Sequence, residues 1–170
     1  MKKIILIGLS FLLASCFTAP QTRVEFVSKI KQGAGLSSYK TMTVNRSMNS
    51  TLRRLNRPLK KCLNVQVQSY WGRGGVQTSN IVTRTYVTKV KKTSSKTAEL
   101  TMQTSYDPMT GSKPPKGGFY DYAIDFESIG KNKTKVTMYS GMTGQDDITD
   151  AFTKWVNGKK ASCPLTKGVK

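Results

Sequence analysis

The sequence predicts an α+β fold, an antiparallel β-sheet packed against a C-terminal helix. Three observations predict it. Apolar residues recur every three or four positions through residues 46–63 and then every second position from residue 65, so a helical period gives way to a strand period. The strand-like segments that follow are joined by turn-forming connections, mostly short, which favour antiparallel neighbours. The last patterned segment, residues 143–158, returns to helical spacing and needs an apolar surface to cover.

The chain begins MKKIILIGLSFLLASCF. Lys2 and Lys3 make a basic start, and residues 4–14 are apolar apart from Gly8 and Ser10, a run too short to span a bilayer comfortably. This is the layout of a signal peptide over residues 1–15. Leu13-Ala14-Ser15-Cys16 resembles the bacterial lipobox. The resemblance implies cleavage before Cys16, a diacylglycerol on its thiol and an acyl chain, palmitate-like, on the new amino terminus. Each chain contributes roughly 0.8 kcal/mol per buried CH₂, so two or three give a lasting membrane anchor. Residue 17 is Phe rather than Asp. In enteric lipoproteins Asp here marks inner-membrane retention, so the expected location is the outer membrane, facing the periplasm. An uncleaved membrane helix, or an ordinary secretory peptide with a chance cysteine, would use the same residues. Residues 16–23 then form a lipidated tether, 24–163 a single domain and 164–170 a basic tail.

Residues 24–31 and 37–45 are expected to be short extended segments, broken by Gly33 and Gly35. The clearest helix follows. Met48, Leu52, Leu55, Leu59 and Cys62 fall within about 80° on a helical wheel. Arg46, Arg53, Arg54, Arg57, Lys60 and Lys61 lie on the opposite side. Ser47 or Asn45 can cap its start. Pro58 predicts a kink, or the first turn of a second short helix. Strands are then expected near residues 65–70, 81–92, 97–106, 119–129 and 134–140. The GRGG stretch separates the first of them from the second, and the loop DPMTGSKPPKGG the third from the fourth. In the final helix Ile148, Ala151, Phe152, Trp155 and Val156 form the apolar stripe. Thr143 with Asp146 is spaced like a capping box, and Asn157-Gly158 supplies the stop.

This order resembles the helix-grip arrangement of the START-like, polyketide-cyclase-like superfamily. TMTVNRSMNSTLRRL is similar to its first strand and helix, and KTKVTMYSGMTGQDDITDAFTKWVNG to its last strand and closing helix. The resemblance implies a lipid- or apolar-ligand pocket between sheet and terminal helix, lined by Met102, Tyr122, Ile124, Phe152 and Trp155. The same residues would equally make a solid core.

Composition narrows function further. Lys and Arg number 28 against nine acids, a net charge of +19, which becomes +17 once Lys2 and Lys3 are removed. No acid lies between Phe26 and Ala98, where fifteen basic residues do. Such a field attracts anionic surfaces. For an envelope protein these are anionic lipid, lipopolysaccharide, cell-wall polymer or an acidic envelope protein, and not nucleic acid. With no histidine in the chain, Ser–His and Cys–His catalytic pairs and histidine metal sites are excluded. Asp121, Asp125 and Glu127 alternate with Tyr122, Ile124 and Phe126, so they are expected on the wet face of a strand rather than in acid–base catalysis. Cys62 and Cys163 remain once Cys16 is lipidated, and in an exported protein they are expected to form one disulfide. The sequence therefore predicts a non-catalytic, cofactor-free, metal-free domain. Its candidate anion-binding residues are Arg46, Arg53, Arg54, Arg57, Lys60 and Lys61, with an apolar-ligand carrier as the alternative.

Overall fold

The computed structural model describes residues 19–71, 80–106, 114–142 and 144–166. The expected signal peptide 1–15, Cys16, the GRGG stretch, most of the loop at 107–118, Thr143 and the end of the expected basic tail lie outside the described residues. The fold is α+β and helix-grip-like. Elements run in the order α1 (Arg23–Lys31), β1 (Ser38–Val44), α2 (Met48–Pro58), a π-helical turn (Leu59–Leu63), β2 (Gln66–Trp71), β3 (Asn80–Lys92), β4 (Thr97–Tyr106), β5 (Phe119–Gly130), β6 (Lys133–Ser140), α3 (Asp146–Val156) and a 3₁₀ turn (Pro164–Thr166).

Six strands form one sheet in the order β1-β6-β5-β4-β3-β2, every pair antiparallel. Strands β2 to β6 are a plain meander. The first strand returns to the far edge beside β6, so α2 and its π turn must cross the sheet to reach β2 on the opposite edge. That crossing, with α3, covers the inner face. Leu55 and Leu63 from the crossing, Phe152 and Val156 from α3, and Leu100, Met102, Tyr122, Ile124, Phe126 and Met138 from the sheet share one buried cluster.

Ser47 caps α2, its side chain accepting from the Ser50 amide. Pro58 closes the helix at its last residue. It has no N–H to give, and the ladder continues as a single widened turn through Leu63 before β2 begins. Helix α3 starts at Asp146 after Gln145, which makes no side-chain cap, and Asp146 and Asp147 favour its positive end instead.

The N-terminal segment departs from expectation. Residues 24–31 are not extended but helical, and the helix begins at Arg23, inside the expected tether. Thr22 caps α1 by accepting from the Glu25 amide. The helix lies on the outer face of the sheet, where Phe26, Val27 and Ile30 pack on Ala123 and Tyr139. The face expected to be wet is thus covered where β5 and β6 run beneath α1.

Cys62 and Cys163 are disulfide-bonded, with Cα atoms 4.8 Å apart across 101 residues of sequence. The bond fastens the π turn to the segment after α3, so both inner-face elements are clasped on one side.

Candidate functional site

Three regions carry chemistry, and the fold places them apart. The basic helix is the first. Arg53, Arg54, Arg57, Lys60 and Lys61 are exposed, and Arg46 is half-buried just before the Ser47 cap. None of the six joins an ion pair among the described residues. The guanidinium groups of Arg46 and Arg54 lie over Gly158, beyond the end of α3. A Cβ at Gly158 would collide with Arg54, and its positive φ also favours glycine. Arg53, Arg57, Lys60 and Lys61 stand exposed along α2 and the π turn.

The second region is where sheet and terminal helix meet. Met102, Tyr122, Ile124 and Phe152 have no exposed surface, and Trp155 retains 5%. Tyr122 and Phe152 stack at 5.5 Å between centroids, and Trp155 meets Phe152 edge-on at 5.5 Å. The Tyr122 hydroxyl hydrogen-bonds Thr149 at 2.7 Å. These five side chains therefore fill the space that the expected apolar pocket would occupy. The opening that reaches Tyr122, beside Lys40 and Asp150, measures about 150 Å³. Small-molecule pockets run to about 300–1,000 Å³, so this cleft is too small for a lipid.

A larger opening was not legible from the sequence. Past the start of α3, the ends of β3, β4 and β5 leave a groove of about 480 Å³. Arg84 and Tyr86 from β3, Tyr106 from β4, and Phe119, Tyr120 and Asp121 from β5 line it, with Met142 and Gln145 at its rim. Register explains the convergence. Arg84 pairs with Tyr106 and Tyr86 with Thr104, so these four side chains share one face. Between Met102 and Gln103 the register with β5 shifts. This irregularity turns the Asp121 carboxylate towards Thr104, whose hydroxyl donates to Oδ2. Asp121 thus departs from the expected wet-face row, and burial raises its pKa above the usual carboxylate value. The Thr104 hydrogen bond and the Arg84 charge oppose that rise without cancelling it. Asp125 and Glu127 do lie on the outer face. There Asp125 accepts from Arg23 at 2.5 Å and from Tyr139 at 3.0 Å, and Lys135 pairs with Glu127 at 3.4 Å.

No protein-family model matches the chain, and no curated protein matches it. A solved structure described as a conserved protein from Geobacillus kaustophilus is similar at 16% identity, over 72% of this chain and 93% of that one, with a TM-score of 0.37. Its description states no ligand or activity.

Proposed function

We propose that the protein is a lipid-anchored, non-enzymatic envelope domain that binds an anionic envelope component through the basic face of α2 and the π turn. The observation that carries this reading is the exposed set Arg53, Arg54, Arg57, Lys60 and Lys61, with half-buried Arg46 before it, none of them in an ion pair among the described residues. Guanidinium forks suit phosphates and carboxylates, and flanking lysines add point charge. The acids that could neutralise this face are concentrated from Asp121 to Asp150 instead.

Topology bears on which anion is bound. The tether leads into α1, which lies on the outer face of the sheet, whereas α2 crosses the inner face. A six-residue link from Cys16 to Thr22 reaches about 20 Å when extended. In this reading the basic helix lies on the opposite face of the sheet from the helix that continues the tether. That favours an acidic cell-wall polymer or an acidic protein over the headgroups of the anchoring membrane. The alternative, an apolar-ligand carrier using Met102, Tyr122, Ile124, Phe152 and Trp155, loses support because those side chains occupy one another's space.

Two experiments test the reading. Cys16→Ser in the full chain should prevent acylation and release the protein from membrane fractions; a variant that stays attached with unaltered mass sinks the anchor. Reversing Arg53, Arg57 and Lys60 to Glu should weaken salt-sensitive sedimentation with isolated envelope polymer while leaving the circular dichroism unchanged. Undiminished sedimentation removes α2 from the site.

A further inference from the structure

The groove at the ends of β3, β4 and β5 is built like a binding site and is separate from the basic helix. Its walls are held in advance. Tyr106 and Phe119 stack with centroids 5.3 Å apart. The approach of β5 to β4 is fixed by Gly118, where a Cβ would lie 2.5 Å from the Thr104 carbonyl oxygen and φ is +104°. Gln103 fastens the same segment, donating through Nε2 to the carbonyls of Lys116 at 3.2 Å and Gly118 at 2.9 Å. At 480 Å³ the groove falls within the range of small-molecule sites.

Its charges are unusual. Arg84 is exposed at the groove and has no ion pair among the described residues. Asp121 commits Oδ2 to Thr104 and leaves Oδ1 without a partner among the described residues. Tyr106 is 40% exposed and Met142 60%, so apolar surface beside these charges faces water.

We propose that this groove binds a small amphipathic anion. Its carboxylate or phosphate sits on the Arg84 guanidinium, and its flat apolar body lies against Tyr86, Tyr106 and Phe119. A hydroxyl or amine next to that body donates to Asp121. The guanidinium fork matches a planar or tetrahedral oxyanion by two parallel hydrogen bonds, which selects an acid over a neutral lipid. Aromatic walls favour a ring or a rigid chain, since stacking adds to the area covered. The raised proton affinity of Asp121 agrees with this placement, because carboxylates kept against desolvation concentrate at binding sites.

The test uses the full-length chain in zwitterionic lipid nanodiscs, with two probes: para-hydroxyphenylpropionate and phenyl phosphate. Binding is read by calorimetry and by saturation-transfer NMR. At least one probe should bind saturably, one per chain, and whichever binds tighter identifies carboxylate or phosphate as the preferred oxyanion. The methyl ester of the carboxylate probe, and the Arg84→Ala chain with either acid, should bind about tenfold more weakly, the loss of one charge-assisted contact. Arg53→Glu with Arg57→Glu should leave affinity unchanged. Arg84 is exposed, so its replacement leaves the core intact. The proposal is overturned if neither probe saturates, if ester and acid bind alike, if Arg84→Ala binds as the parent does, or if the basic-helix variant loses the probes as well.

Discussion

Arg23 and Asp125 stand 102 residues apart in the chain, yet Nη2 of the arginine donates to Oδ1 of the aspartate at 2.5 Å. The same guanidinium reaches the Ile124 carbonyl at 3.2 Å and Glu99 at 3.4 Å. Arg23 keeps 16% of its side-chain surface, while both acids keep 38%. The first residue of α1 thus pins that helix to the two central strands across the outer face. Its Nε is buried with no partner among the described residues, so the pin carries a desolvation cost of its own.

Removing the pin should loosen α1 more than the sheet. Arg23→Ala is expected to lower unfolding free energy by about 1–2 kcal/mol, a charge-assisted hydrogen bond reduced by partial exposure and the orphaned Nε. Hydrogen exchange should then accelerate at Phe26, Val27 and Ile30 before it does at Leu100 or Ile124. Equal acceleration at both places would show that α1 and the sheet open as one unit.

The disulfide makes a different prediction. Cys62 and Cys163 close a loop with a sequence separation of 101 residues, and chain-entropy models give a crosslink of that span about 4.7 kcal/mol. Native bonds in exported domains are worth about 2–5 kcal/mol. Replacing both cysteines by alanine should therefore cost about 4 kcal/mol in urea denaturation, and reductant should no longer affect the variant. A loss below 1 kcal/mol would mean that packing of α2 on α3 already holds the clasp closed.

The parts of the molecule differ in how far the sequence revealed them, and the reason is locality. Strand β3 announces itself by its run of Val and Thr, and β4 because Leu100 and Met102 alternate with polar neighbours. Helix α2 is equally plain in its apolar stripe. Helix α1 was obscured because Val24, Phe26, Val27 and Ile30 are residues that strands also favour, and its apolar stripe is only three side chains wide. The signal that could have found it is Thr22 with Glu25 three residues on, the spacing of a capping box. The groove had no such local signal. Arg84, Tyr106 and Asp121 meet only through the β3–β4 register and the shift after Met102. No periodicity encodes a register shift.

Two buried phenols are expected to govern the response of the fold to alkali. Burial pushes the Tyr122 hydroxyl up to about 12, despite its hydrogen bond to Thr149. Burial, then the neighbouring Asp125 charge, raises Tyr139 as well. Both folded values lie above the unfolded value near 10, so their contribution is complete below pH 10 and fades as pH rises towards the folded values. Urea midpoints should hold from pH 7 to about 9.5 and fall steeply beyond. Tyr122→Phe should flatten that fall, at about 1 kcal/mol lower stability near neutrality for the lost hydrogen bond. An alkaline slope identical in both proteins would assign the transition to other groups.

Asp121 reverses the usual behaviour of a carboxylate, and its variant separates stability from binding. Its pKa is raised in the folded state, chiefly by burial. The folded protein therefore holds this proton more tightly than the unfolded chain does. The stability this supplies is complete below about pH 3.8, the unfolded value, and is lost as pH rises through the raised folded value. Above that range the desolvated carboxylate works against the fold. Asp121→Asn keeps an oxygen for the Thr104 hydroxyl and removes the desolvated charge. Its melting temperature at pH 7 should exceed the parent's by about 2 °C or more, since 1 kcal/mol moves a domain of this size by about 2–4 °C. The gain should vanish by about pH 3.5, where both side chains are neutral. Affinity for para-hydroxyphenylpropionate should fall in the same variant, because the carboxylate no longer accepts the probe's hydroxyl as a charged partner. A side chain that weakens the fold and strengthens a ligand is the trade expected of a binding group. Lower stability at pH 7, or a melting gain that persists at pH 3.5, would show that Asp121 is held for the Thr104 contact and contributes to the β4–β5 junction alone.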